Sequence, residues 1–561
     1  MADEQARSSP ILDALRAGAD LPADALEGAD LQGSNLARLV LSGRRLERAN
    51  LAGADLSGAA LAHCSLQGAR LAGATLRNAH LLGANFSGAD LRETSWGLSD
   101  LTGAKFDGAD LTGSRFEMMQ FGASILEGNL AGARFEFCAA PKLAAPNRTL
   151  SGCTMVGCIL DGADLRGLRL QDAVLDGCDI ERANLQQADL RGARLPGCSF
   201  ENSDLSNAQL QGAFLQRAGF SGSLLRGANL EGADLTRANL SGADLEGANL
   251  RRAILQRVKL RGTSLAGADL SGLDLGEADL SGCRLAGANL GETRLDGAIL
   301  KGADLSGANL DGASLVAAAL GSANLARARM IGADLSKAEL PDAILAGADL
   351  SEANLRGADC SGADFEGAVL SRAAAGQAVF AGARLDGAKL DGCDLTGSDL
   401  TGASLRKTRL EGAVLKQANL VKAHLEDSDL SRVPLEAADL TGAVLVRVKA
   451  VEASLKDASC CEARLEDCDL SGIMAAGSRW IGASLNRCRF LNAKLNYANF
   501  SRARLESVDG TGAELSGAVF HRAEEVRSRW DKAGRDKAGK TDPALARAEE
   551  FTVPGMPEIV E

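Results

Sequence analysis

The residues of this chain that could do chemistry are one glycine-rich segment, thirteen cysteines and four histidines. The segment Gly534 to Thr541 matches the phosphate-binding expression G-x-x-x-x-G-K-[ST]. That motif works only between a strand and a helix of an α/β domain that also holds Mg²⁺. Here a charged segment precedes the match, and only a short tail follows it. We interpret the match as chance and expect no cofactor.

The cysteines show a regular spacing. Ten of the thirteen lie two positions before a leucine-type residue, where alanine is the usual occupant. None has the paired C-x-x-C spacing of a zinc site, so no metal is expected. We interpret them as small buried hydrophobic residues in a reducing compartment. The predicted structural column is Cys138, Cys158, Cys178 and Cys198.

A disulfide ladder along that column is the alternative. Neighbouring chains in a sheet lie about 4.8 Å apart, whereas a disulfide prefers Cβ atoms about 3.8 Å apart, so bridging would distort the backbone. The four histidines fall at outward positions of different coils, and no nucleophile, base or metal partner is placed beside them. We therefore predict no catalytic residues. The histidines are His63, His80, His424 and His521.

The elements that position these residues follow from a five-residue period. A leucine or a close substitute recurs at every fifth position, here called position i, as in Ala233-Asp234-Leu235 and Ala238-Asn239-Leu240. On an α-helix such leucines would rotate by about 140° per step, and in a straight strand they would alternate between faces. A short extended piece followed by a turn explains them. Positions i and i−2 then face a narrow interior, and the glycines common at i+2 supply the positive φ of a type II turn.

Aromatic residues at position i indicate the size of the coil. Six of them are separated by multiples of twenty residues, as are the cysteines of the column. Four pentads per turn would place such residues on one face. We therefore predict an all-β solenoid with four sides and twenty residues per coil, about 25 coils long, with short helical caps at both ends. The predicted face stack is Phe200, Phe220, Phe380, Trp480, Phe500 and Phe520.

The repeats resemble the pentapeptide-repeat family, whose motif is A(D/N)LXX. The resemblance covers roughly residues 20 to 520. It implies the fold of that family, a right-handed quadrilateral β-helix. Some members dimerise through a C-terminal helix, mimic duplex DNA and bind gyrase, so the resemblance offers a DNA-mimic gyrase- or topoisomerase-binding protein as one alternative. A bacterial secretion-system-associated effector or accessory protein is another.

Both ends and one internal segment depart from the repeat. Ser9-Pro10 begins a short apolar pattern that could cap the first coil. After Phe520 the pattern turns helical, and Val526 and Trp530 could form a cap or a homodimer contact. One residue is missing between Phe116 and Ile125, and a poorly matching stretch follows. We predict a capping helix over 1–19, a repeat rod over 20–116, an irregular break or projecting loop over 117–149, a long rod over 150–520, a capping helix over 521–534 and a mobile tail over 535–561.

Composition limits the function classes. The net charge of −13 is spread thinly and interrupted by basic patches, which is a poor profile for direct nucleic-acid binding. No segment has membrane-spanning length or a signal-peptide pattern, so we expect cytoplasmic residence, with signal-independent secretion left open. We predict a non-catalytic scaffold that binds protein partners through rod faces, loop or ends.

Overall fold

The computed structural model describes residues 10–549, which form a parallel β-solenoid with four-sided coils. Bridges that begin at Asp30, Asn35, Val40 and Arg45 each join a residue twenty positions later. Four sides of five residues therefore complete one coil. The predicted fold class and period are confirmed.

Backbone hydrogen bonds join each coil to the next. The Leu31 N–H donates to the Asn50 carbonyl at 2.7 Å, and the Asn50 N–H donates to the Ala29 carbonyl at 2.8 Å. This leaves the side chains at i and i−2 inside, and Leu235 and Ala233 have no exposed surface. At i+2, Gly232 has φ 66° and Gly242 has φ 69°, as the turn requires.

The chain divides into two compact units. The first unit is Met1–Asp274 with Ala278–Arg284, and the second is Leu275–Glu277 with Leu285–Glu561. In the first unit, one side of six consecutive coils is long enough to form a parallel sheet in chain order, and the other sides pair through single bridges. Its elements are α1 Pro10–Arg16, β1 Thr75–Arg77, β2 Ser95–Gly97, β3 Arg115–Glu117, a 3-10 turn Ala123–Glu127, β4 Arg134–Glu136, β5 Thr154–Val156 and β6 Val174–Asp176.

The second unit has a similar sheet, also in chain order. Its elements are β7 His424–Glu426, β8 Val444–Val446, β9 Arg464–Glu466, β10 Ser484–Asn486, β11 Arg504–Glu506, β12 Glu524–Val526, a 3-10 turn Arg535–Lys537 and α2 Pro543–Glu549.

Of the two readings of 117–149, the projecting loop is wrong, and the irregularity is a 3-10 turn within a coil that stays paired. Strand β4 lies within this segment and pairs with β3 and β5, which places Phe135 opposite Phe116 and Met155. The 3-10 turn Ala123–Glu127 absorbs the missing residue, and its Ile125 and Leu126 are buried. Because both apolar side chains stay inside, this side shortens without opening the coil.

The predicted capping helix over 521–534 is also wrong. These residues form a further coil, in which β12 pairs with β11 and the Ser507 N–H donates to the Val526 carbonyl at 2.8 Å. Pairing with the exposed edge of the preceding coil satisfies more backbone groups than a short isolated helix would. The predicted homodimer contact therefore has no helix at 521–534 to use.

Segments outside the coils lie near both ends of the described residues. At the N-terminal end, α1 buries Leu12 and Leu15, within the segment predicted as a capping helix. At the C-terminal end, α2 falls within 535–561, the predicted mobile tail. Residues 1–9 and 550–561 of those two predictions lie outside the described residues.

The aromatic residues of the predicted face stack form separate groups. In the first unit, Phe200 stacks on Phe220 with ring centroids 5.0 Å apart. In the second, Phe500 lies between Trp480 at 5.8 Å and Phe520 at 5.1 Å. The ring of Phe380 instead packs edge-on against Phe365.

Removal of the middle ring of the second group should weaken that part of the solenoid. We expect Phe500→Ala to lower the free energy of unfolding by about 3–5 kcal/mol, because it leaves a cavity between two packed rings. The urea midpoint, followed by tryptophan fluorescence, measures the loss. Phe214→Ala is the control, since that ring is 41% exposed and outside the core. Equal losses in the two variants would contradict the packing argument.

Candidate functional site

One corner of the first unit carries three chemically distinct blocks of residues. They occupy position i+2 on nine consecutive coils, and we call them the corner row. The backbone N–H of each of the first eight donates to the carbonyl of the residue just before the next member of the row. The apolar block is Leu98, Met118 and Phe137, the glycine block is Gly157, Gly177 and Gly197, and the arginine block is Arg217, Arg237 and Arg257.

The residues of the apolar block are unusual for the backbone conformation that they adopt. Leu98, Met118 and Phe137 have φ values of 51°, 49° and 52°, in the left-handed region. That conformation costs a residue with a side chain roughly 1–2 kcal/mol, whereas glycine adopts it freely. Three bulky apolar residues are therefore held where glycine or asparagine would be less strained.

The apolar block is also open to solvent. Leu98, Met118 and Phe137 are 61%, 48% and 62% exposed. The neighbouring Glu117 and Glu136 form ion pairs with Arg77 and Arg134, so the charges beside the block are balanced. Apolar side chains on adjacent coils thus form one continuous patch beside neutralised charges.

The glycine block provides a floor without side chains. The ring of Phe137 leans over Gly157, where an added Cβ would lie only 2.8 Å from its Cδ1 atom. An added Cβ at Gly177 or Gly197 would meet no atom within 4 Å. A groove of about 650 Å³ begins here and continues along the arginine block. It is lined by Asp176, Pro196, Gly197, Gln216, Arg217, Thr236, Arg237, Gln256 and Arg257.

The arginines of the arginine block form no ion pair within the described chain. Arg217, Arg237 and Arg257 are exposed and make no ion pair with any residue between 10 and 547. Some arginines at position i+2 elsewhere do form ion pairs: Arg182 pairs with Asp161, and Arg447 with Asp427, each at 2.7 Å. Like charges on adjacent coils repel by about 1 kcal/mol per pair in water.

One carboxylate beside the groove, that of Asp234, is already engaged. The Gln216 amide donates to Asp234 Oδ2 at 2.6 Å, and Asp234 Oδ1 accepts from the Thr236 backbone N–H at 2.9 Å. The carboxylate of Asp234 is therefore held against the groove wall. The three guanidinium groups remain available to an external anion.

The predicted cysteine column lies directly behind this corner. Its members follow Phe137, Gly157, Gly177 and Gly197 in the chain, and all are buried free thiols. The Cys158 Sγ donates to the Phe135 carbonyl at 3.6 Å, so the thiol supports the inner wall. The pKa of Cys158 is raised to about 12: its hydrogen bond with Cys138 lowers it, and that with Cys178 and burial raise it.

The pKa of Cys178 is likewise raised to about 12. Its hydrogen bond with Cys158 lowers it, whereas the one with Cys198 and burial raise it. Cys158 and Cys178 therefore stay protonated at neutral pH. Protonated, buried thiols are poor nucleophiles and poor metal ligands.

The remaining predicted positions do not converge on a site. His63, His80 and His424 are exposed, but His521 is buried and its Nδ1 accepts from the Asp542 N–H at 3.2 Å. The outward placement predicted for His521 is therefore wrong, because the chain folds back over the last coil there. Residues 10–549 contain no cluster of three or more His, Cys, Asp or Glu side chains suited to a metal ion.

The phosphate-loop match, Val526 and Trp530 all lie in or beside the last coil. The Phe520 N–H donates to the Gly539 carbonyl at 2.9 Å, so the segment with the phosphate-loop spacing serves as a paired edge. Trp530 lies edge-on to Phe520 at 5.8 Å, and Val526 is 38% exposed on β12. Among the helices of the described range, none is long and apolar enough to cross a membrane.

Comparisons with known proteins place this geometry in a family. A family model described as pentapeptide repeats (8 copies) matches residues 26–117, 149–472 and 481–524 in overlapping segments. The chain belongs to the pentapeptide-repeat family. Quadrilateral coils are the fold of that family, in agreement with the four sides seen here. The family model has no match over 118–148, the segment around the shortened coil.

Solved structures of pentapeptide-repeat proteins are similar to parts of this chain. HetL of Nostoc sp. strain PCC 7120, involved in heterocyst differentiation regulation, is 27% identical, over 46% of this chain and 86% of its own, with a TM-score of 0.13. Rfr23 of Cyanothece 51142 is 24% identical over 25% and 85%, with a TM-score of 0.16.

QnrB1, a plasmid-mediated fluoroquinolone resistance protein, is 20% identical over 35% of this chain and 91% of its own, with a TM-score of 0.17. TM-scores at this level carry no argument about function. A comparison with curated proteins gives no match.

The residues at positions i and i−2 do not reveal the corner row, because their side chains face only the interior. A comparison of the residue types at position i+2 at twenty-residue intervals would reveal the corner row. Runs of three apolar and three arginine residues, separated by three glycines, then stand out against the usual glycine.

The raised thiol pKa values make stability depend on alkaline pH. Unfolded thiols titrate near about 8.5, so the unfolded chain loses protons that the folded column keeps. The contribution is complete below about pH 8.5 and is lost as pH rises towards 12. The double variant Cys158→Ala/Cys178→Ala should therefore lose less stability than the wild type when the pH is raised from about 8 to about 10.5. The urea midpoint of unfolding, measured at both pH values, checks this.

Val258→Ala is the control, since Val258 occupies the same buried column without an ionisable group. It should change the midpoint equally at both pH values. An unchanged pH slope in the double cysteine variant would contradict the assignment of raised thiol pKa values.

Proposed function

We propose that this protein is a non-catalytic scaffold that binds a protein partner through the apolar block of the corner row. The observation that carries the proposal is the exposure of Leu98, Met118 and Phe137 on three adjacent coils. Each is in a backbone conformation that disfavours it. Contiguous exposed apolar patches are typical of interaction sites.

Burial of the patch would supply useful binding energy. A fully buried leucine, methionine or phenylalanine side chain contributes about 1.5–3 kcal/mol, before the costs of association are subtracted. The interior offers no comparable site, because Leu and Ala fill it. A partner that covers the corner would therefore gain most from these three side chains.

The mode of binding follows from the backbone pairing. Within the first unit the strands of the corner are paired on both edges with neighbouring coils, so a partner gains little by adding a strand there. Contacts must come from side chains on the corner. The free buried thiols suit a reducing compartment, which supports the cytoplasmic residence that we propose.

The corner row does not favour the gyrase-binding alternative. A mimic of duplex DNA needs a continuous acidic face, and three unpaired arginines interrupt any such face at this corner. No observation among the described residues favours a secretion role or a homodimer over a separate partner.

A peptide-display selection on the immobilised full-length protein tests the proposal. Each selected peptide is then measured against the wild type and against Leu98→Asn/Met118→Asn/Phe137→Asn. Asparagine tolerates positive φ, so this variant should fold at least as stably. We expect binding to weaken by about tenfold or more, which is about 1.4 kcal/mol.

Tyr497→Asn is the matched control. Tyr497 is an aromatic residue at position i+2, 72% exposed, whose ring leans over Gly517 as Phe137 leans over Gly157. Peptides should bind this variant as well as they bind the wild type. Failure to select any peptide, or equal binding to the triple variant, would refute the proposed function.

A further inference from the structure

We propose that the partner segment is an extended polypeptide with an apolar cluster at one end and an acidic cluster about six residues away, laid along the corner row. This inference rests on the proposed function and adds the chemistry of the partner. Its basis is that one corner of the first unit places the apolar block, the glycine block and the arginine block in a single line.

The arginine block determines the charge of the partner. Arg217, Arg237 and Arg257 extend into solvent on adjacent coils without a carboxylate partner in the described chain. Guanidinium groups bind carboxylates through paired N–H donors, so an acidic cluster relieves their mutual repulsion and is held in place. Nucleic acid is the less suitable polyanion, because the same row ends in an apolar block and the protein carries a net charge of −13.

The glycine block determines how the two clusters are connected. Gly177 and Gly197 leave a floor on which a backbone can lie closely, with Pro196 and Asp176 beside it. The carboxylate of Asp176 would repel an acidic residue at this point. The connecting residues are therefore neutral and slender, and the acidic residues lie beyond them over the arginine block.

The length of the corner row determines the spacing between the apolar and acidic clusters of the partner. Four coil steps separate Phe137 from Arg217, which is about 19 Å at about 4.8 Å per step. An extended chain advances about 3.3 Å per residue, so about six residues cover the gap. Each outer block spans two coil steps, about 10 Å, which suits a cluster of about three residues.

Three synthetic peptides test the inference against the full-length protein by fluorescence anisotropy. The first has a Leu-Phe-Leu cluster, a six-residue Gly/Ser linker and an Asp-Glu-Asp cluster. The second replaces the acidic cluster with lysines, and the third joins the two clusters directly and moves the linker to one end. We expect the first peptide to bind about tenfold more tightly than either of the others, with an advantage over the second that shrinks at high salt.

Arg217→Gln/Arg237→Gln/Arg257→Gln should remove that advantage. Glutamine already occupies the same turn position at Gln187 and Gln377, so the variant keeps an accepted backbone conformation. Arg327→Gln is the matched control, since Arg327 is an exposed i+2 arginine of the second unit. It should bind the first peptide as the wild type does.

The outcomes separate the two proposals. If all three peptides bind equally and the arginine variant has no effect, but Leu98→Asn/Met118→Asn/Phe137→Asn still weakens binding, the inference is overturned and the proposed function stands. If the apolar variant has no effect on any peptide, both are overturned. Loss of binding in the Arg327→Gln control would show a general charge effect and would also overturn the inference.

Discussion

The hydrogen-bond ladder between consecutive coils is the interaction on which the rest of this structure depends. Each side of a coil donates backbone N–H groups to the next coil and accepts others in return, as at Leu31, Asn50 and Ala29. A single pentad buries too little to compensate for its lost backbone entropy, so a coil is stable only against its neighbours. The positive φ at each corner follows from the same requirement, because the chain must turn within five residues to meet the ladder again.

The ladder uses only backbone groups, and this separates stability from surface chemistry. Positions i and i−2 must be apolar and small enough for a narrow interior, whereas the side chain at i+2 lies outside and is limited only by its φ. Where that position holds leucine, phenylalanine or arginine instead of glycine, the protein accepts strain without a gain in packing. Strained turn residues occur along both units, but in the corner row three adjacent ones are bulky, apolar and exposed, and this is the physical reason to look for function there.

The interior pattern made most of the fold predictable. The leucine period, the small residues at i−2 and the twenty-residue spacing of aromatic residues lead to a four-sided coil from sequence alone. The two wrong assignments, the projecting loop at 117–149 and the helix at 521–534, share one cause. The local sequence does not contain the neighbouring coils, whose unpaired edges draw even poorly matching residues such as Glu524 and Glu525 into the ladder. The burial of His521 has the same origin, since the returning chain near Asp542 covers it.

By itself, the sequence determined the period, the four sides of the coil and the identity of the interior, because these depend on the type of residue at fixed intervals. Tertiary structure decided which distant residues become neighbours. Leu98 and Arg257 belong to one corner only because a nineteen-residue step between Phe116 and Phe135 is accommodated by a 3-10 turn that keeps the register of β3 and β4. A shift of one residue in that turn would have moved the apolar block out of line with the arginines. No local pattern of residues reveals whether the backbone keeps or shifts this register.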